Sequence, residues 1–290
     1  METGTCKLCL TPGAELRDSH FLPRSFYALF RDGKNEPIRF SPESVYPTSK
    51  QIKDFVFCGD CAERFNRLGE NWVRPLLATV SGSFPLRDRL MEAAPLYRDE
   101  AMAVFPTVGN SEIDSAKLMQ FALGVFYKAA VHSWRGDSSE PYMPMEADDV
   151  DALRLYLLGE AALPKNMVVC ITVDSLVVPL QSMNEPYRME DKDGFKRYVF
   201  YIPGVFFQLF VGDGGETAMP ACFSVHPTSP VLVENISIPV RNTGREQLAN
   251  ARRTKKLGEI MKDVEARSAR QKHTLGRLKG VHHVASEQRC

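Results

Sequence analysis

Two Cys-x-x-Cys pairs, Cys6-Lys7-Leu8-Cys9 and Cys58-Gly59-Asp60-Cys61, restrict what the first part of this chain can fold into more than any other feature. A two-residue gap lets both sulfurs of a pair turn toward one point. Two such pairs complete a tetrahedral cage of the kind that holds zinc. Four thiolates leave no open coordination position, so the ion expected here staples the fold instead of activating water. Unrelated buried cysteines or a redox-active pair are the plainer alternatives. The opening residues lack the basic start and apolar stretch of a secretion signal, and the expectation is a cytoplasmic protein with reduced thiols. Cys170 and Cys222 sit in apolar runs and read as core residues, and Cys290 is terminal.

The metal pairs bound a segment rich in turn residues with only short apolar runs, which predicts a zinc-stapled module over residues 1–75. The chain has 290 residues, 44% of them hydrophobic and 25% charged, so it has material for a sizeable core beyond that module. No apolar run approaches the ~20 residues of a bilayer span, and no membrane role is expected. Apolar spacing predicts a buried helix within residues 113–134 and a second within 148–160, with a shorter one over 71–80. Strand signals follow at 167–173, 188–190, 195–202, 205–211, 222–225 and 231–238. Asp193-Gly194 marks a hairpin between the second and third of these. Helices followed by sequential strands predict an α+β domain over 76–240. The fold class expected for the whole chain is therefore α+β.

Formal net charge is zero, but its distribution is uneven. From Arg241 onward 13 basic residues face 5 acidic ones, which leaves the preceding chain acidic by the same margin. Residues 241–290 read as a basic helical tail, with a helix over 246–272 that carries Leu257, Ile260, Met261 and Val264 on one stripe. Such a tail suits nucleic acid, with Arg252, Arg253, Lys255 and Lys256 as phosphate contacts. A solvated helix docked on the acidic body is the alternative. The apolar stripe could also pack on a protein partner or a second copy.

Between the cysteine pairs stands Leu16-Arg17-Asp18-Ser19-His20-Phe21-Leu22-Pro23-Arg24, and the second pair continues Ala62-Glu63-Arg64-Phe65-Asn66-Arg67-Leu68-Gly69-Glu70. This order resembles the HNH, or His-Me finger, endonucleases, in particular a subgroup with Cys-x-x-Cys, a His-hydrophobic-hydrophobic-Pro segment, and Cys-x-x-Cys opening a helix. The resemblance implies a ββα-metal module with His20 as general base, taking a proton from water beside a Mg²⁺ or Mn²⁺ ion that stabilises the scissile phosphate. Two positions depart from the subgroup. Ser19 stands where a metal-binding Asp, Glu or His is usual, and Ala62 stands where His or Asn is usual. Asp18, Asp60, Glu63 and Glu70 are the neighbouring carboxylates that could supply oxygen ligands instead. Glu63 and Glu70, seven apart, are expected on one helix face. Arg17, Arg24, Arg64 and Arg67 are candidate phosphate contacts. The larger domain resembles uncharacterised bacterial proteins that carry such a module.

Three functions stay open from the sequence. The first is a metal-dependent nuclease acting on DNA, with phage defence as a setting in which such modules occur. The second is a zinc-stabilised nucleic-acid-binding or adaptor protein that has lost the catalytic ion, which Ser19 and Ala62 favour. The third is a protein-interaction subunit without nucleic acid.

Overall fold

The structure is a computed structural model, and it describes residues 2–30, 38–40, 45–47, 51–79, 82–107, 110–134, 140–175, 183–192, 194–213 and 231–234. The chain divides into two compact units, one formed by Met1–Phe30 with Lys50–Arg241 and the other by Arg31–Ser49 with Asn242–Cys290. The described elements, in chain order, are β1 (Glu2–Gly4), β2 (Ala14–His20), α1 (Arg24–Tyr27), β3 (Ile38–Phe40), β4 (Val45–Pro47), β5 (Lys53–Cys58), α2 (Gly59–Phe65), α3 (Asn71–Val73), α4 (Pro85–Met91), β6 (Tyr97–Arg98), β7 (Met102–Phe105), α5 (Ser115–Val131), α6 (Ala147–Leu158), β8 (Met167–Asp174), β9 (Asn184–Lys192), β10 (Phe195–Ile202), β11 (Val205–Val211) and β12 (Val231–Glu234). The class is mixed α+β.

In the second unit only the antiparallel pair β3–β4 is described. The expected strand at 222–225 and the basic tail lie outside the described residues, along with the tail's apolar stripe and Arg252, Arg253, Lys255 and Lys256.

Within the first unit, β1, β2 and β5 form a three-stranded antiparallel sheet, and β5 runs directly into α2. From Gly59 the backbone stays helical to Leu76: α2 passes into a π turn at Asn66–Glu70, then α3, then a 3-10 turn at Arg74–Leu76. The helix expected over 71–80 is thus the end of this rod. The α-helical ladder ends early because Pro75 has no N–H to donate back to the Asn71 carbonyl, and the rod closes in a 3-10 turn.

The second sheet has seven strands in the order β6-β7-β12-β8-β11-β10-β9, antiparallel except for the parallel pair β12–β8. β8 is buried along its whole length, and its first seven residues are the unbroken apolar and β-branched run of a central strand. β9 and β10 pair antiparallel as the expected hairpin requires, Phe195 opposite Lys192, with Gly194 at positive φ; Asp193 lies outside the described residues.

Helix α5 is buried on most of its circumference, and this follows from its composition: eleven of its seventeen positions from Leu118 to Ala130 are apolar residues or glycine inside the core. Phe121 and Phe126 meet the sheet at Phe200, which stacks on Phe207 with ring centroids 4.5 Å apart. Its other side meets the helical rod. A Cβ on Gly69 would lie 2.8 Å from the Phe121 backbone, so only glycine allows this approach. One buried apolar cluster runs from Cys6 to Val231, with no break in packing at residue 75.

Among the described residues, no helix is long and apolar enough to cross a membrane.

Candidate functional site

The four cysteine sulfurs converge. Cys6, Cys9, Cys58 and Cys61 all lie within 4.8 Å of one another, with Cys9 and Cys58 3.8 Å apart. A tetrahedral zinc with metal–sulfur bonds of ~2.3 Å sets its sulfurs at roughly 3.8 Å, so the cage fits such an ion. The donor set alone could hold a metal such as zinc. The backbone fixes the first pair from both sides: the Lys7 amide donates to the Val56 carbonyl at 3.1 Å, and the Cys58 amide donates to Cys6 Sγ at 3.3 Å. The Leu10 amide closes the turn onto the Cys6 carbonyl at 2.9 Å, with Leu10 itself left-handed at φ 58°. Among themselves the sulfurs share charge unequally. The Cys6 thiol is drawn down to about 4, first by the hydrogen bond from Cys61. Cys61 is pushed up by that same bond, and Cys58 is raised chiefly by burial. A cation at the centre favours the thiolate form of all four.

Beside this cage, β2 ends at His20. Between Arg17 and Asp18 the pairing of β2 with β5 slips through a bulge, so Leu16 and Ser19, three apart, both turn inward. Phe21 and Leu22 then plug the core, with Phe21 edge-on to Trp134 at 5.3 Å, and Pro23 starts α1. The His-Phe-Leu-Pro order is therefore an anchor that holds His20 at the mouth of a cleft of about 330 Å³. Arg17, Asp18, Ser19, His20 and Arg24 line one wall, and Ala62, Phe65, Asn66, Glu70 and Asn71 of the helical rod line the other.

Of the lining residues that the sequence did not single out, one is charged. Lys128 of α5 reaches its floor and sits 2.5 Å from Glu70 Oε1, with the two side chains only 5% and 9% exposed. The ammonium also lies 3.4 Å from the His20 carbonyl and 4.8 Å from the centre of the Phe65 ring. A lysine set between Tyr127 and Ala129 in the apolar stretch of α5 was the available signal, because buried lysines need a partner.

No family model matches this chain, and no curated protein or solved structure does.

The remaining expected site residues are dispersed. Asp18 lines the cleft but forms an ion pair with Lys53. Asp60 and Glu63 are exposed on α2 and do not line the cleft. Glu63 and Glu70 do not share a surface, since the π turn carries more residues per turn than an α-helix and rotates Glu70 into the core. Among the described residues, the four cysteines are the one group of three or more His, Cys, Asp or Glu whose ligand atoms converge. Arg64 is spent on structure: its guanidinium donates to the carbonyls of Leu157 and Leu158, both at 2.6 Å, and so caps α6. Arg17, Arg24 and Arg67 are exposed, with Arg17 3.7 Å from Glu15.

Proposed function

We propose that this protein is an HNH-like nucleic-acid-binding protein, in which a zinc-stapled ββα scaffold presents His20 and nearby cations to a backbone phosphate, with DNA the first candidate. The observation that carries this reading is the composition of the His20 cleft. Of its two carboxylates, Glu70 is neutralised by Lys128 and Asp18 is paired with Lys53. Asp60 and Glu63 face away from it. What remains is an imidazole, the guanidinium groups of Arg17 and Arg24, and the amides of Asn66 and Asn71, a set suited to phosphate oxygens. Ser19 brings only a neutral hydroxyl, which donates to the Arg17 carbonyl at 3.1 Å, and no charge for a divalent ion.

A second reading, the metal-dependent nuclease, is favoured by one observation. His20 closes β2 opposite a helix that opens with the second cysteine pair, the ββα order that the resemblance implies.

One experiment separates them. Zinc-loaded protein is titrated into labelled duplex DNA and RNA at several salt concentrations, and plasmid is incubated with Mg²⁺ or Mn²⁺ beside a His20→Ala variant. The binder reading expects a shift that weakens steeply with salt and no cutting. Cutting that vanishes in His20→Ala establishes the nuclease instead. Neither shift nor cutting defeats both and leaves the protein-interaction subunit.

A further inference from the structure

The Lys128–Glu70 pair is held in place from several sides. The Trp134 indole donates to the Lys128 carbonyl at 2.7 Å, from a backbone turned left-handed at φ 57°. The Gly69–Phe121 approach sets the spacing between α5 and the rod that carries Glu70. The ammonium itself is held by Glu70 at 2.5 Å, on a side chain only 5% exposed, unlike that of a surface lysine.

An ammonium has three N–H donors. Glu70 accepts one and the His20 carbonyl is placed for a second, while the third has only the Phe65 ring beside it, on an ammonium that lines the cleft. A divalent ion entering the same space would meet like charge, with the buried carboxylate already paired. A phosphate oxygen would meet a fixed, largely desolvated cation, where a charge-assisted hydrogen bond is strongest.

We propose that Lys128 is the resident cation of the His20 cleft, and that the cleft takes a phosphate group of nucleic acid on this ammonium without any divalent ion. The inference rests on the binder reading for its ligand but not for its chemistry, since inorganic phosphate offers the same oxygens.

Glu70 gives the test a sign. If the carboxylate competes with phosphate for Lys128, then Glu70→Gln, which keeps its shape, frees the ammonium and strengthens binding. If Glu70 serves a divalent ion, the same change weakens it. The measurement uses the full chain with its zinc retained, in buffer free of Mg²⁺ and Mn²⁺, with a short single-stranded oligonucleotide as probe. Oligonucleotides with and without a 5′-phosphate separate a terminal group from an internal diester. Glu70→Gln should bind about 3- to 10-fold tighter, the scale of one charge-assisted hydrogen bond. The double variant Lys128→Met with Glu70→Gln removes both charges at nearly constant volume and net charge, and should bind about tenfold more weakly than wild type. Zinc content and melting temperature identify any variant that has failed to fold. In that event Lys128→Arg, which keeps the charge, should retain metal-free binding.

Binding that requires added Mg²⁺, weaker binding by Glu70→Gln, or wild-type binding by a folded double variant would overturn the proposal. Inorganic phosphate, followed through the His20 imidazole resonances, provides the separate arm. If no nucleic acid binds but phosphate shifts His20 in a manner that depends on Lys128, the inference stands and the binder reading falls. If nucleic acid binds regardless of Lys128 and Glu70, the reverse holds.

Discussion

The Tyr127 hydroxyl donates to the Lys7 carbonyl, in the middle of the first cysteine pair, one position before the lysine that floors the cleft. Two consecutive residues of α5 thus reach opposite parts of the N-terminal segment. Tyr127 holds the metal cage and Lys128 holds the cleft. Burial pushes the Tyr127 phenol above its ordinary range, so it remains a donor at physiological pH. Tyr127→Phe should cost about 1 kcal/mol, the net worth of one hydrogen bond, plus a faster loss of metal to a chelator. Differential scanning calorimetry and zinc release to a colorimetric chelator read the two effects separately.

The metal itself should dominate stability. A purified chain is expected to carry a single tightly held zinc by elemental analysis. Chelation, or Cys61→Ala, should lower the melting temperature by roughly 10 °C or more, because binding energy at such a site is folding energy. A second tightly bound divalent ion would contradict the geometry of the cleft carboxylates.

Gly69→Ala sets two effects against each other. Alanine favours a helical backbone by ~1 kcal/mol. The new Cβ, however, would stand 2.8 Å from the Phe121 Cα and N, and backbone atoms of a buried helix cannot yield cheaply. The clash should win, with a net loss of about 1–3 kcal/mol in a urea titration and weaker anchoring of Lys128.

Leu10→Gly should do the opposite. Leu10 is left-handed, half its surface faces water, and its conformation costs a side-chain-bearing residue ~1 kcal/mol or more. Glycine removes that strain and loses little burial, so the unfolding free energy from a urea titration should rise by about 1 kcal/mol.

Asp54 predicts a pH effect. Its carboxylate lies 2.8 Å from His132 Nε2, and that hydrogen bond, followed by one from the Phe55 amide, holds it below the ordinary value of 3.8. A depressed carboxyl contributes stability that is fully present above its unfolded value and lost as pH falls through its folded value. Thiolate protonation releases the metal in acid as well, so the comparison is between proteins. The stability difference between wild type and Asp54→Asn should be constant from pH 5 to about 6 and shrink below about pH 4.

The sequence announced the elements whose chemistry is local. Cysteine spacing showed the metal cage, Asp193-Gly194 its hairpin, and the run from Met167 the central strand β8. Elements whose character depends on a distant partner were silent. Strand β2, reading Ala-Glu-Leu-Arg-Asp-Ser-His, has no clean alternation because the bulge at Arg17 and Asp18 shifts its period. The π turn has no marker apart from Gly69, whose purpose is visible only against Phe121. Lys128 and Glu70 are 58 positions apart, and although a lysine in an apolar helix calls for a partner, nothing near it in the chain names Glu70. Reading Glu63 and Glu70 as one face assumed an unbroken α-helical period, which the π turn violates.

Phe21 and Phe57 pack on Trp134 and Phe65 packs on Gly124 and Lys128 of α5, so the interior of the cysteine-bearing segment is completed from outside it. A peptide ending at residue 75 would still own the four clustered thiols of Cys6, Cys9, Cys58 and Cys61 yet lose the cover over those three rings. Genetic dissection of this protein should accordingly yield aggregates from its first quarter, and the smallest chain worth expressing must extend past Trp134.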